Sequence, residues 1–73
     1  MDMIEAETVV SRSLYELYEI IGWCTKQFGP RAAELDNVGE EYTWAYRSEL
    51  NIFETSFHFA HAEDCTFFIL RWT

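Results

Sequence analysis

The sequence predicts a small α+β domain, a three-stranded antiparallel sheet with two helices on one face. Three observations lead to this prediction. Apolar residues recur at helical spacing within residues 14–28, two later segments alternate aromatic with polar residues at strand spacing, and the chain has 73 residues. A chain of this length buries one small core, so residues 1–73 form a single domain.

The first predicted element is a strand over residues 4–10. Its even positions are apolar or small, and its odd positions are Glu5, Glu7 and Val9. Successive side chains of a strand point to opposite faces, so this pattern predicts one buried face and one acidic face.

The second predicted element is a helix over Leu14–Phe28. Ser13 followed by Glu16 is a capping-box pattern at its start, and Gly29 with Pro30 ends it. Its core-facing stripe is predicted to comprise Leu14, Leu17, Tyr18, Ile21, Cys24, Thr25 and Phe28.

Three other positions of this helix carry predictions. Gly22 costs about 1 kcal/mol relative to alanine in a helix interior, which predicts a ring or a backbone packed against it. Ile20 and Trp23 form a second apolar strip outside the core stripe. Trp23 is predicted either to cover the edge of the following hairpin or to bind a partner, since tryptophan is common at binding hot spots.

A loop and a hairpin follow. Residues 30–40 mix proline, glycine and three carboxylates, which predicts a loop with one helical turn at residues 31–35. Residues 42–47 and 53–59 alternate as strands, and the short, mostly polar segment 48–51 between them predicts an antiparallel hairpin with its aromatic rings on one face.

The last segment is ambiguous. Residues 66–69 favour a strand by composition, whereas Cys65, Phe68 and Trp72 fit helical spacing. We predict a helix, because Glu63 and Asp64 suit a helix start, with Asp64 as the N-cap.

The resulting order β-α-β-β-α is ferredoxin-like and lacks the last strand. The first strand then lies beside the third, and its outer edge has no neighbour. An open edge favours pairing with another chain, so we expect a homodimer through this edge, limited by the charges of Glu5 and Glu7.

The charge balance bears on partners. Thirteen acidic residues against five basic ones give a net charge of −8, which opposes direct binding to nucleic acid and favours a protein partner with a basic surface. No apolar run is long enough to span a membrane, and residues 1–10 lack the features of a signal peptide, so a cytoplasmic location is expected.

No cofactor, metal or enzymatic activity is predicted. Cys24 and Cys65 are expected to be buried thiols, with a disulfide between them as the alternative. His58 and His61 complete the ligand types of a zinc site, but in a strand they point to opposite faces. We expect His58 to be solvated and His61 to be a turn residue.

A thiol nucleophile formed by Cys65 with His61 is also disfavoured. The neighbouring carboxylates Glu63 and Asp64 would raise the pKa of the thiol. The sequence also offers no glycine-rich turn that could stabilise an oxyanion.

The densest acidic cluster lies in the predicted loop, with Arg31 as its single nearby cation. It consists of Glu34, Asp36, Glu40 and Glu41. One interpretation is a solvated surface that keeps the protein soluble. The other is a nucleic-acid mimic, in which these carboxylates, with those of Glu5, Glu7, Glu49 and Glu54, occupy a basic groove in place of phosphates.

One set of aromatic, turn and acidic residues extends through residues 23–72. It comprises Trp23-Cys24 before Phe28-Gly29, then Trp44, Phe57-x-Phe59, and Glu63-Asp64-Cys65-x-x-Phe68-x-Leu70-Arg71-Trp72. This set resembles a pattern in small uncharacterised bacteriophage-encoded proteins, to which no activity is attached. The resemblance implies that the chain binds, and inhibits, a host protein. The alternative is a homo-oligomeric accessory protein of the virion or of genome metabolism.

Overall fold

The computed structural model describes residues 3–48 and 54–72. Its three strands form one antiparallel sheet in the order β1-β3-β2, and both helices pack on one face, so the predicted fold class is confirmed. The expected turn beyond Ser48 and the ring of Phe53 lie outside the described residues. The elements are β1 (Ala6–Val10), α1 (Leu14–Phe28), a short 3-10 turn (Leu35–Asn37), β2 (Trp44–Ser48), β3 (Thr55–Phe59) and α2 (Ala62–Trp72).

The register of the central strand β3 with its two neighbours sets which side chains lie on each face of the sheet. Phe59 pairs with Ala6 of β1 on one side and with Trp44 of β2 on the other, and all three side chains face the helices. The adjacent row, formed by Glu7, His58 and Ala45 in register, faces the opposite side. The predicted alternation of strand β1 is confirmed, with Val10 buried and Glu7 exposed.

Both ends of α1 lie where they were predicted. At the start, the Glu16 backbone N–H donates to Ser13 Oγ at 3.3 Å. At the end, Gly29 adopts a positive φ of 88°, which glycine tolerates, and its N–H donates to the Thr25 carbonyl at 3.0 Å. The Glu16 carboxylate does not complete a reciprocal capping box. It lies 3.3 Å from the Arg12 guanidinium instead.

The predicted buried stripe of α1 is confirmed in part, since Leu17, Ile21, Cys24 and Phe28 belong to the core or pack against it, but the buried face is rotated about the helix axis towards Ile20. Leu17, Ile20 and Cys24 are buried, whereas Leu14 and Tyr18 are 54% and 73% exposed. The predicted stripe and the observed one both satisfy helical spacing, because apolar side chains occupy more than half of the circumference of this helix. The position of α2 selects between them, since α2 packs beside α1 and shields the side that carries Trp23.

The prediction for Gly22 is also wrong. The residue is exposed, and a Cβ atom added to it would meet no heavy atom within 4 Å. No close packing inside the described chain therefore requires a glycine at this position.

The last segment is a helix, as predicted, but it starts two residues before Asp64. The backbone N–H groups of Asp64 and Cys65 both donate to the His61 carbonyl, at 3.1 and 3.3 Å, so Asp64 is inside the helix and is not its N-cap. The side chain of Glu5, which directly precedes β1, supplies a cap. Glu5 Oε1 accepts the backbone N–H of Ala62 at 3.1 Å.

The chain between α1 and β2 packs on the sheet face opposite the helices. The Ala32 N–H donates to the Trp44 carbonyl at 2.8 Å, on the outer edge of β2. The helical turn expected at residues 31–35 forms later, at Leu35–Asn37, after Glu34 in a β/extended conformation. A second apolar cluster consists of Ala32, Val38, Ala45 and Ala60, with Ile4 and Leu35 at its margin.

The side-chain cap of α1 has a measurable effect. Replacing Ser13 with alanine leaves the Glu16 N–H without its acceptor, and we expect a loss of about 1 kcal/mol in the free energy of unfolding by urea. Ser11→Ala is the matched control, because Ser11 is exposed and its side chain makes no hydrogen bond with the described residues. Equal losses in the two variants would contradict the assignment of the cap.

Candidate functional site

The carboxylates predicted to bind a partner are gathered in one exposed segment, residues 34–41, here called the acidic loop. All four are solvent-exposed, and within residues 3–48 and 54–72 none has a cation within ion-pair distance. They are Glu34, Asp36, Glu40 and Glu41. The two ion pairs of the described chain, Arg12–Glu16 and His58–Glu7, lie elsewhere.

The acidic loop is held by its own backbone and by two neighbours. The Val38 carbonyl accepts the Met3 N–H at 3.0 Å, which ties the loop to the chain before β1. The Gly39 N–H donates to the Tyr42 carbonyl at 2.8 Å, and Val38 is buried in the second apolar cluster. Fixed backbone with exposed charges is the arrangement expected of a preformed binding surface.

Arg31 does not neutralise the acidic loop. Its guanidinium carbon lies over the Tyr46 ring, 5.0 Å from the centroid, at a cation–π distance. A shallow depression of about 390 Å³ separates Glu34 and Asp36 from Tyr46 and Arg47. The loop thus presents negative charge around a depression whose far wall is aromatic and basic.

Glu5 and Glu7, which were grouped with the loop carboxylates in the sequence, have partners within the chain. Glu5 caps α2 through the Ala62 N–H. Glu7 Oε2 lies 2.9 Å from His58 Nδ1. Their carboxylates are engaged in the fold, so they belong less to an open acidic surface than Glu34 and Asp36 do.

His58 is buried, contrary to the expectation of a solvated residue; only 7% of its surface is exposed. The chain after α1 packs on the same sheet face, against Ala45, which is the β2 neighbour of His58. Nε2 lies 2.9 Å from Ser56 Oγ. Nδ1 is within ion-pair distance of Glu7 but has no hydrogen bond of acceptable geometry among the described residues.

The contacts of His58 with Glu7 and with Ser56 form a row of acid, base and hydroxyl, as in a catalytic triad. The sequence pattern does not predict this row. The hydrogen bonds oppose that chemistry. While the single proton of the Ser56 hydroxyl is donated to the Arg47 carbonyl at 3.2 Å, Nε2 is the donor in its contact with Ser56 Oγ and does not take up that proton. The N–H groups of β3 pair with β1 and β2, and none is available to stabilise an oxyanion.

Trp23 lies between the two helices and not at the hairpin edge. It is half-buried, and its ring centroid is 5.4 Å from Phe67, 5.7 Å from Phe28 and 6.0 Å from Trp72. The expectation that it covers the hairpin edge is therefore wrong. Its use in binding stays a prediction.

The thiols are free, buried and poorly reactive. Burial raises the pKa of Cys24 to about 12, and it also raises the pKa of Cys65. The carboxyl of Asp64 has a raised pKa as well, chiefly through burial, with His61 opposing and Glu63 adding to the shift. No group of three or more metal-binding side chains is present in the described part of the chain.

Comparison with protein-family models, curated proteins and solved structures finds no significant match. No helix among the described residues is long and apolar enough to cross a membrane. The fold and its surfaces define a small α+β domain that carries a fixed acidic loop on one side of the sheet and two helices on the other.

The buried thiols give a prediction for chemical labelling. At pH 8, a thiol pKa near 12 instead of 9.0 lowers the thiolate fraction of Cys24 about a thousandfold. Native protein should therefore react with iodoacetamide far more slowly at Cys24 than protein unfolded in guanidinium chloride, as followed by mass spectrometry. Labelling of native Cys24 at the rate of a free thiol would show that the core opens readily.

Proposed function

We propose that the protein binds a partner protein that has a basic surface, and that the acidic loop makes the contact. The observation that carries this proposal is the group of four exposed carboxylates without a cation within ion-pair distance among the described residues. Carboxylates gathered on a fixed backbone repel one another, and folding within the chain does not relieve this repulsion. Cations supplied by a partner do relieve it.

The proposed mode of binding is mimicry of nucleic acid. Carboxylates on the acidic loop take the place of phosphates in a groove that a partner uses to hold DNA or RNA, and they thereby inhibit that partner. Glu5 and Glu7 play a smaller part than the sequence suggested, because each already contacts a group within the chain. The resemblance to bacteriophage-encoded proteins supports a host protein in the cytoplasm as the partner. No reaction is proposed.

A homo-oligomeric accessory protein is the second candidate. Among residues 3–48 and 54–72, the strand β1 has a sheet neighbour on one side only, which leaves the edge where dimerisation is expected from the sequence. The helices offer another surface for a second copy.

The first candidate predicts a binding reaction that depends strongly on salt. Immobilised protein is exposed to a bacterial lysate, and retained proteins are identified by mass spectrometry and then purified for titration. A specific partner should be released by duplex DNA and by about 0.5 M NaCl, because screening is strong at that ionic strength. Binding that neither treatment weakens would exclude the mimic.

A pair of charge-matched variants tests the site. Glu40→Gln with Glu41→Gln should weaken binding of the purified partner about 2- to 30-fold, from about 0.2–1 kcal/mol for each exposed ion pair lost. Glu19→Gln with Glu63→Gln removes the same charge from the helices and should change the dissociation constant less than about twofold. Equal weakening in both variants would assign the effect to net charge and not to the acidic loop.

A further inference from the structure

The helices expose an apolar surface that the fold itself does not cover. Tyr15 is 78% exposed, Phe67 49% and Leu70 79%, and all three side chains are large. Isolated apolar side chains are ordinary on a protein surface, so their exposure does not by itself mark a contact. The two helices are adjacent, and Phe67 contacts Trp23 across the boundary between them.

We call this region the helical surface and define it by one stripe from each helix. The α1 stripe has the spacing i, i+4, i+7, i+11, which places its members on one side of a helix. The members are Tyr15, Glu19, Gly22 and Lys26 from α1, with Phe67, Leu70 and Arg71, at i, i+3 and i+4, from α2. A shallow cleft of about 390 Å³ lies between the stripes and has Trp23 and Trp72 in its walls.

Gly22 lines this cleft and has no side chain to fill it. In the middle of α1 a glycine costs about 1 kcal/mol relative to alanine, and no heavy atom of the chain would lie within 4 Å of an added Cβ. Packing within the chain therefore does not account for the glycine. A surface glycine on a helix does allow the backbone of a second helix to approach closely.

The charged side chains that line the cleft indicate which kind of partner fits it. Glu19, Lys26 and Arg71 all line it, so the surface carries both signs. A two-fold axis brings the same patch of two copies together, and it can place Glu19 of each copy near Lys26 or Arg71 of the other. The acidic loop lies on the far side of the sheet, so this contact also separates the most negative parts of two chains that each carry a net charge of −8.

We propose that a second copy of this chain covers the helical surface in a two-fold dimer, with the α1 helices crossing near Gly22. The edge of β1 is the less favourable place for a second copy. Antiparallel pairing of two β1 edges would bring Glu5 and Glu7 of both copies to one seam, where like charges repel. The dimer deepens the second candidate function and does not depend on the acidic loop.

The test measures the dimer dissociation constant by size-exclusion chromatography with light scattering and by sedimentation equilibrium. The wild-type protein should be a dimer at about 0.1 mM, and Gly22→Gln should weaken it about thirtyfold, as expected at the centre of an interface. Because Gly22 faces open space, the variant monomer should keep the wild-type circular dichroism spectrum. Val9→Lys, at the exposed β1 edge, should leave the dimer unchanged.

A charge swap between Glu19 and Arg71 tests the same dimer without changing Gly22. Glu19→Arg alone should weaken the dimer, and adding Arg71→Glu should restore most of the lost affinity, since the signs then match again across the axis. A monomeric wild-type protein at about 0.1 mM, loss of the dimer in Val9→Lys but not in Gly22→Gln, or failure of the charge swap to restore affinity would each overturn the proposal. Salt-sensitive binding to a basic partner would be unaffected by any of these results.

Discussion

The packing of Phe57 between Trp44 and Phe68 is the contact on which the rest of this domain depends. The Trp44 and Phe57 rings are nearly parallel at 13°, and the Phe57 and Phe68 centroids are 4.7 Å apart. The contact joins both strands of the hairpin to α2. Trp44 extends it to α1, because its indole N–H donates to the Gly29 carbonyl at 2.7 Å. A chain of 73 residues has one small core, and large aromatic side chains allow four elements to be joined at one place in it.

With the helices on one face, the second face of the sheet needs a different cover. Small side chains of the chain after α1 provide it, and Ala32 and Val38 are almost completely buried there. Because Val38 and the backbone make these contacts, the carboxylates of the same segment stay on its outer side. The acidic loop is therefore a by-product of a structural role as well as a candidate binding site, and its rigidity comes from that role.

Local signals in the sequence are enough to predict much of this fold. Ser13 and Gly29 mark the ends of α1, and the alternation within residues 55–59 marks the central strand, because each signal acts through hydrogen bonds or pleating over a few residues. The rotation of α1 was not predictable in the same way. Ile20 and Tyr18 both fit an apolar stripe, and only the position of α2 decides between them.

The site was less predictable than the fold, because its contacts are distant in sequence. Nothing near Glu5 indicates that its carboxylate caps a helix 57 residues later, and nothing near His58 indicates that it is buried. Local composition did identify the acidic loop, since four carboxylates within eight residues need no tertiary information to be recognised. What composition could not indicate was which carboxylates already have partners.

The cap that Glu5 provides has a consequence for the order of events during synthesis. The strand β1 has a single neighbour in the sheet, β3, so the first strand made must wait for Phe59 before it can pair. That pairing brings Glu5 to the place where Ala62 begins the last helix. The residue just before β1 thus helps to start α2, and this part of the domain can close only after residues 55–62 have been synthesised.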